Sequence, residues 1–178
     1  MDKKSFEEIS VQDITDLADV NRATFYDHYT DKFALLDAMI AGGFHKMLAE
    51  RKVVFNGTCP SAASAIILAT CDYLSATHRE CHKNSAFEPL AEAGIVTAIR
   101  RVILAGIQTK TVPEMLTPEI VAATAAWAIY GAVKQWFYTP EHKPATEMVQ
   151  PIMQLVLPIL LVAGPIGPHD LIEAPVLA

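Results

Sequence analysis

An all-α fold is predicted by three observations. Apolar residues recur at helical spacing through most of the 178-residue chain. Helix-start signals stand ahead of these runs: Ser10 with Asp13 three residues on, then Asn21, then Thr117-Pro118-Glu119. No segment shows the apolar–polar alternation of a half-buried strand. The same signals divide the chain into a short helix-turn-helix unit over residues 1–52 and a helical C-terminal unit over residues 53–178.

Each element has a local cause. Ser10 can accept from the backbone of the first turn while Asp13 reaches back, a capping box. Val11, Ile14, Leu17 and Ala18 then form one stripe, expected to be buried. The stripe stops at Ala18-Asp19-Val20, and Asn21 caps a second helix, Arg22 to His28, of about two turns. Thr30 is expected to cap a third helix, with Asp31 adding negative charge at its positive end. That helix should reach about Lys52, with Phe33, Leu36, Ile40 and Phe44 as its inner stripe.

Asn56-Gly57-Thr58-Cys59-Pro60 breaks the chain and sets the boundary between the units. Ser61 opens a helix to about His78, followed by a polar connection, Arg79 to Asn84. Ser85 caps a segment from Phe87 to about Ile107, with Gly94 as the place where it would break. Thr117 caps the next helix, Pro118 fits its first position, and Thr139-Pro140 ends it after Tyr138. Pro144 to Val162 forms the last helix, with Pro151 and Pro158 as kinks. The tail, Gly164 to Ala178, should lie on the surface or move.

Composition narrows the function. Hydrophobic residues make up 52% of the chain and charged ones 19%, the balance of a globular protein. No signal segment opens the chain, and no apolar run reaches the ~18 residues that cross a bilayer. The three cysteines, Cys59, Cys71 and Cys81, have no paired spacing and read as reduced thiols of a cytoplasmic protein. There is no nucleophile elbow, Gly-rich phosphate loop or metal-ligand series, so neither an enzyme nor a cofactor is expected. His78, Cys81 and His82 have ligand spacing, but they lack a fourth partner and are flanked by Arg79 and Lys83. A helix end followed by a solvated turn accounts for them better than a metal site.

The short second helix carries the chemistry. Two helices joined by a tight turn, the second polar on its outer side, suit the major groove of DNA. Arg22 can donate twice to guanine, and the Thr24 hydroxyl and methyl can meet a base edge. Tyr26, His28 and Lys32 suit phosphates, and Phe25 should point inward. With Ser10 and Ala23 these residues make up the candidate DNA-facing set. The charge runs the other way: net −6 overall, with seven basic side chains against ten acidic in residues 1–52. Nonspecific DNA affinity should therefore be weak.

The run DITDLADVNRATFYDHYTDKFALL resembles the tetracycline-repressor (TetR) family of bacterial regulators. The matching positions are Ser10-Val11, Ile14, Val20, Thr24-Phe25-Tyr26, His28-Tyr29 and Asp31-Lys32, within residues 6 to about 40. The resemblance implies an all-helical dimeric repressor whose C-terminal domain binds a small molecule and then releases double-stranded operator DNA. Two departures stand out. Asp19 replaces the family's turn glycine, at modest conformational cost. Only MDKKS precedes Phe6 where the family has a full first helix, so Ile14, Phe25 and Leu36 would lack cover, and a start further upstream is expected.

In the C-terminal half, Ile120 to Val133 is apolar or small on every side, so this helix should be buried on more than one side. With the last helix it would build a homodimer bundle, presenting two recognition helices to a palindromic operator. Tyr73, Phe87, Trp127 and Tyr130 are the candidate effector-facing residues, and the scarcity of charge points to an apolar or aromatic effector. The rival expectation is a small-molecule-binding or interaction module that has lost DNA binding with its first helix.

Overall fold

A computed structural model describes residues 4–51, 60–81, 87–108 and 110–163. Among these, seven helices and no strand occur: α1 (Val11–Ala18), α2 (Arg22–His28), α3 (Lys32–Glu50), α4 (Pro60–Cys81), α5 (Phe87–Ile107), α6 (Pro118–Tyr138) and α7 (Ala145–Leu161). Residues 52–59, which hold the expected boundary, Ser85 and the tail from Gly164 on lie outside the described residues. So do the side chains of His78, Cys81, His82 and Phe87.

The caps form as local chemistry dictates. Ser10 and Asp13 close a capping box on α1. Asp19 ends that helix in the left-handed region, at φ 54°, with its N–H donating to the Thr15 carbonyl. Asn21 caps α2, and Thr117 caps α6 with Pro118 at its first position. The third helix corrects the expectation. Its cap is Asp31, not Thr30, and Asp31 Oδ1 accepts from Phe33 N at 2.9 Å and Ala34 N at 2.8 Å. A carboxylate satisfies two orphan donors and carries full charge at the positive helix end, which one hydroxyl does not.

One apolar cluster runs from Leu36 on α3 to Ala163 beyond α7. Ile66, Ile95, Ile99, Ile103 and Ile129 lie wholly inside it. α5 packs most extensively on α6, and α3 lies across α5 and α4. α5 runs unbroken through Gly94, and the glycine serves packing instead. A Cβ there would stand 2.5 Å from Ile40 Cδ1 and 3.2 Å from its Cγ2, so any larger residue would force Ile40 to shift from this seat. α4 continues to Cys81, past the expected end at His78. α7 keeps both prolines inside the helix, at exposed positions. Arg51 pairs with Asp72 at the far end of α3, and Lys134 Nζ meets Glu92 Oε2 at 2.6 Å between α6 and α5.

The N-terminal side is covered far less. Leu17, expected in a buried stripe, is 92% exposed, and Phe33, expected on the inner face of α3, is 49% exposed. No described element lies over the side shared by α1 and α3. Their apolar residues instead wall an open groove of about 600 Å³ that includes Ile14, Leu17, Leu35 and Met39.

Candidate nucleic-acid interface

α2 presents its polar side to solvent because Phe25 holds the other side down. Phe25 is buried, with its ring centroid 5.4 Å from that of Tyr26 and 5.8 Å from that of Tyr29. Arg22, Ala23, Thr24, Tyr26 and His28 are all exposed. The structure thus brings together most of the side chains expected to face DNA.

Several are already organised. Arg22 Nη2 donates to Tyr26 Oη at 3.3 Å, one turn along, with the guanidinium 5.8 Å from the centre of the ring. This contact limits the rotamers of a long side chain before any ligand arrives. Thr24 Oγ1 donates to Asn21 Oδ1 at 3.1 Å, and the same oxygen accepts from Thr24 N at 2.8 Å. Toward a base edge Thr24 therefore offers a methyl group and acceptor lone pairs. Sequence reasoning assigned Asn21 to the cap alone, but it also fixes Thr24.

Ser10 is exposed but committed to its cap. Its hydroxyl donates to Asp13 Oδ2 at 2.6 Å, and its oxygen accepts from Asp13 N at 3.1 Å. Lys4 Nζ adds a contact to Asp13 Oδ1 at 2.5 Å. The Lys4 ammonium first, and then the Ser10 hydroxyl and backbone, hold the Asp13 carboxyl well below its ordinary range.

Lys32 departs from its expected role. Its ammonium donates to the carbonyls of Phe6 at 2.9 Å, Glu7 at 2.9 Å and Ile9 at 2.8 Å. It also sits 5.0 Å from the centre of the Phe6 ring and 5.7 Å from that of Phe33. All three ammonium hydrogens are engaged, so none points to a phosphate. The cause is the turn at Ser5–Ile9, where Ile9 N bonds back to Ser5 O at 3.2 Å and the later carbonyls are left to face Lys32. No sequence spacing marks this clamp, because it joins positions more than twenty residues apart.

The expected effector residues fall on three helices, α4, α5 and α6. Tyr73 is half-buried on α4, its ring 6.4 Å from that of Phe44 on α3. Tyr130 is buried on α6, with Lys134 Nζ 5.9 Å from its ring centre. Trp127, one turn away, is 54% exposed, so within one subunit much of its ring faces outward. Its neighbours on the inner side are alanines, and α6 turns those toward the core.

Residues 1–39 match the family model described as bacterial regulatory proteins, tetR family. The N-terminal region is a TetR-type DNA-binding domain. No curated protein matches the chain. The TetR-type match and the geometry of α2 agree on the same segment, and they make the chain a transcriptional regulator that binds DNA through a helix-turn-helix. No helix among the described residues is long and apolar enough to cross a membrane.

Proposed function

We propose that this TetR-type regulator is a cytoplasmic, ligand-responsive repressor that binds a palindromic operator as a homodimer. The observation carrying the reading is α2 itself: Phe25 is buried while Arg22, Ala23, Thr24, Tyr26 and His28 stand exposed on one short helix behind a tight turn. Arg22 and Thr24 read base edges, and Tyr26 and His28 position the helix on phosphates. Dimerisation runs through α6 and α7, whose outer faces carry Ile120, Trp127, Leu155 and Leu161 in solvent. An apolar or aromatic effector binds within the body formed by α4, α5 and α6, with Tyr73 and Tyr130 as its candidate contacts. It acts through α3, which touches both α4 and α5 and leads directly to α2.

Gel-shift titration with DNA flanking the protein's own gene tests this. Arg22→Ala should cost about 1–3 kcal/mol of specific binding. Retardation indifferent to that change would remove α2 as the reading element. The open groove beside α1 favours one second reading, a ligand-binding or interaction module without DNA affinity. Absence of any retardation by the well-folded dimer would select it.

A further inference from the structure

Between Ile120 and Tyr138, the exposed positions of α6 are Ile120, Thr124, Trp127, Gly131, Gln135 and Tyr138. They are spaced by three or four residues, so they form one straight stripe, and none is charged. A solvated helix face of this length ordinarily carries lysine and glutamate. The stripe has a centre. At Gly131 an added Cβ would meet nothing within 4 Å, so the helix backbone itself is open to approach. One turn before Gly131 stands a knob, Trp127, 54% exposed. One turn after it lies a hole, a groove of about 440 Å³ walled by Ala132, Gln135 and Trp136 of α6 and by Met148, Pro151 and Leu155 of α7, with the polar Thr139, Glu141, His142 and Lys143 completing its wall.

Knob and hole lie at equal distances on either side of the glycine, four residues or about 6 Å of helix each way. We propose that a two-fold axis passes through Gly131, so that Trp127 of each subunit fills the α6–α7 groove of its partner. Antiparallel α6 helices crossing at residue 131 bring residue 127 opposite residue 135. The indole body then lies on Leu155 and Pro151, and its N–H faces the Gln135 carboxamide, the polar handle a buried indole requires. Thr124 falls opposite Tyr138 by the same symmetry. Gly131 leaves no side chain at the crossing, so the two backbones approach closely. The inference rests on the dimer proposed above and gives Trp127 an interface role in place of an effector contact.

The test is Gly131→Cys in the full chain with the three native cysteines replaced by serine or alanine. A residue on a two-fold axis meets its own copy, so mild oxidation should link most of the protein as a disulfide dimer. Lys110→Cys, in the connection ahead of α6 and outside the stripe, should stay unlinked under the same conditions. Trp127→Ala removes an exposed side chain and leaves the subunit's core intact, and it should raise the dimer dissociation constant at least tenfold by sedimentation or light scattering. This second variant keeps the question open to measurement if Gly131→Cys folds poorly. A dimeric mass without cross-linking at residue 131, and indifferent to Trp127→Ala, overturns the axis while the dimer reading stands. A monomeric mass at all accessible concentrations removes both.

Discussion

The two ends of this molecule are held together in different ways. The body, α4 to α7 with α3 across it, is held by bulk: Ile66, Ile95, Ile99, Ile103 and Ile129 lie entirely within one apolar cluster. The reading head, α1 and α2, has almost no such cover, with Leu17, Val20 and Tyr26 all substantially exposed. It is held instead by named polar contacts: the Ser10–Asp13 box, the Asn21 cap and the Lys32 clamp. Apolar burial is non-directional and scales with area, whereas polar contacts fix orientation at modest net gain. The comparison teaches that the head is oriented more than it is stabilised, which suits an element whose task is to be aimed.

The largest effects should confirm the asymmetry. Ile99→Ala, in the body, should cost about 2–5 kcal/mol in denaturant unfolding, the usual cost of a large-to-small change in a packed core. Leu17→Ala, in the head, should change stability by no more than about 0.5 kcal/mol, since the side chain already stands in water. A comparable loss at both positions would mean that something covers α1 in solution.

Lys32 sharpens the contrast further. Lys32→Met removes a clamp of three carbonyl contacts that solvent partly replaces, so a loss of about 1–2 kcal/mol is expected. The loss should be local: hydrogen exchange should quicken in α1 and α2 while α5 and α6 keep their protection. Operator affinity should fall as the head loosens, but the slope of log affinity against log salt should not change. A lysine that neutralised a phosphate would lower that slope by about 0.9 on removal. A reduced slope would restore Lys32 to the DNA contacts and defeat the clamp.

What could be read in the sequence follows the same division. The caps at Ser10, Asn21 and Thr117 and the recognition helix with Phe25 inward were legible, because each depends on residues three or four apart. The exposure of Leu17 and Phe33 was not, because helical periodicity shows that a face is apolar and not whether anything covers it. Lys32 looked like a phosphate ligand because it is basic and adjacent to α2, and its carbonyl partners belong to a turn with no signature. Trp127 looked like part of a cavity because it is aromatic on a greasy helix, and only the fold turns it outward. Gly94 looked like a helix breaker because its partner, Ile40, is remote in sequence.

The glycines carry the comparison into the helix that joins the two regions. Gly42 and Gly94 both sit in helices, yet a Cβ at Gly42 would meet nothing within 4 Å, while at Gly94 it would collide with Ile40. Gly42→Ala should therefore stabilise by up to about 1 kcal/mol through helix propensity alone. Gly94→Ala gains the same propensity but overpacks the α3–α5 contact at about 1–3 kcal/mol, leaving a net loss of up to about 2 kcal/mol. Ile40→Val in the Gly94→Ala background should recover part of that loss by clearing the colliding methyl. If both alanines stabilise equally, α3 is not seated on Gly94, and the proposed route from effector to reading head loses its contact.

The smallest effect concerns acid. The Asp13 carboxyl titrates below its ordinary value of 3.8 because Lys4 and Ser10 favour the charged form. A group whose native value is depressed adds its stability fully above the unfolded value and loses it as pH falls through the native one. The stability the capping box adds should therefore be full at neutral pH, begin to fall at the ordinary carboxylate value and be gone in strong acid. Because Asp13 is solvated, the body should hardly register the change, and the signal belongs in α1 alone. Exchange rates of the α1 amides, corrected for intrinsic pH dependence, should stay level from neutral pH to just above the ordinary carboxylate range and rise below it, whereas Asp13→Ala should raise them at neutral pH and flatten the acid rise. If the wild-type amides lose no more protection in acid than those of Asp13→Ala, then Lys4 does not hold Asp13 in solution, and the head depends on its remaining caps and on Lys32.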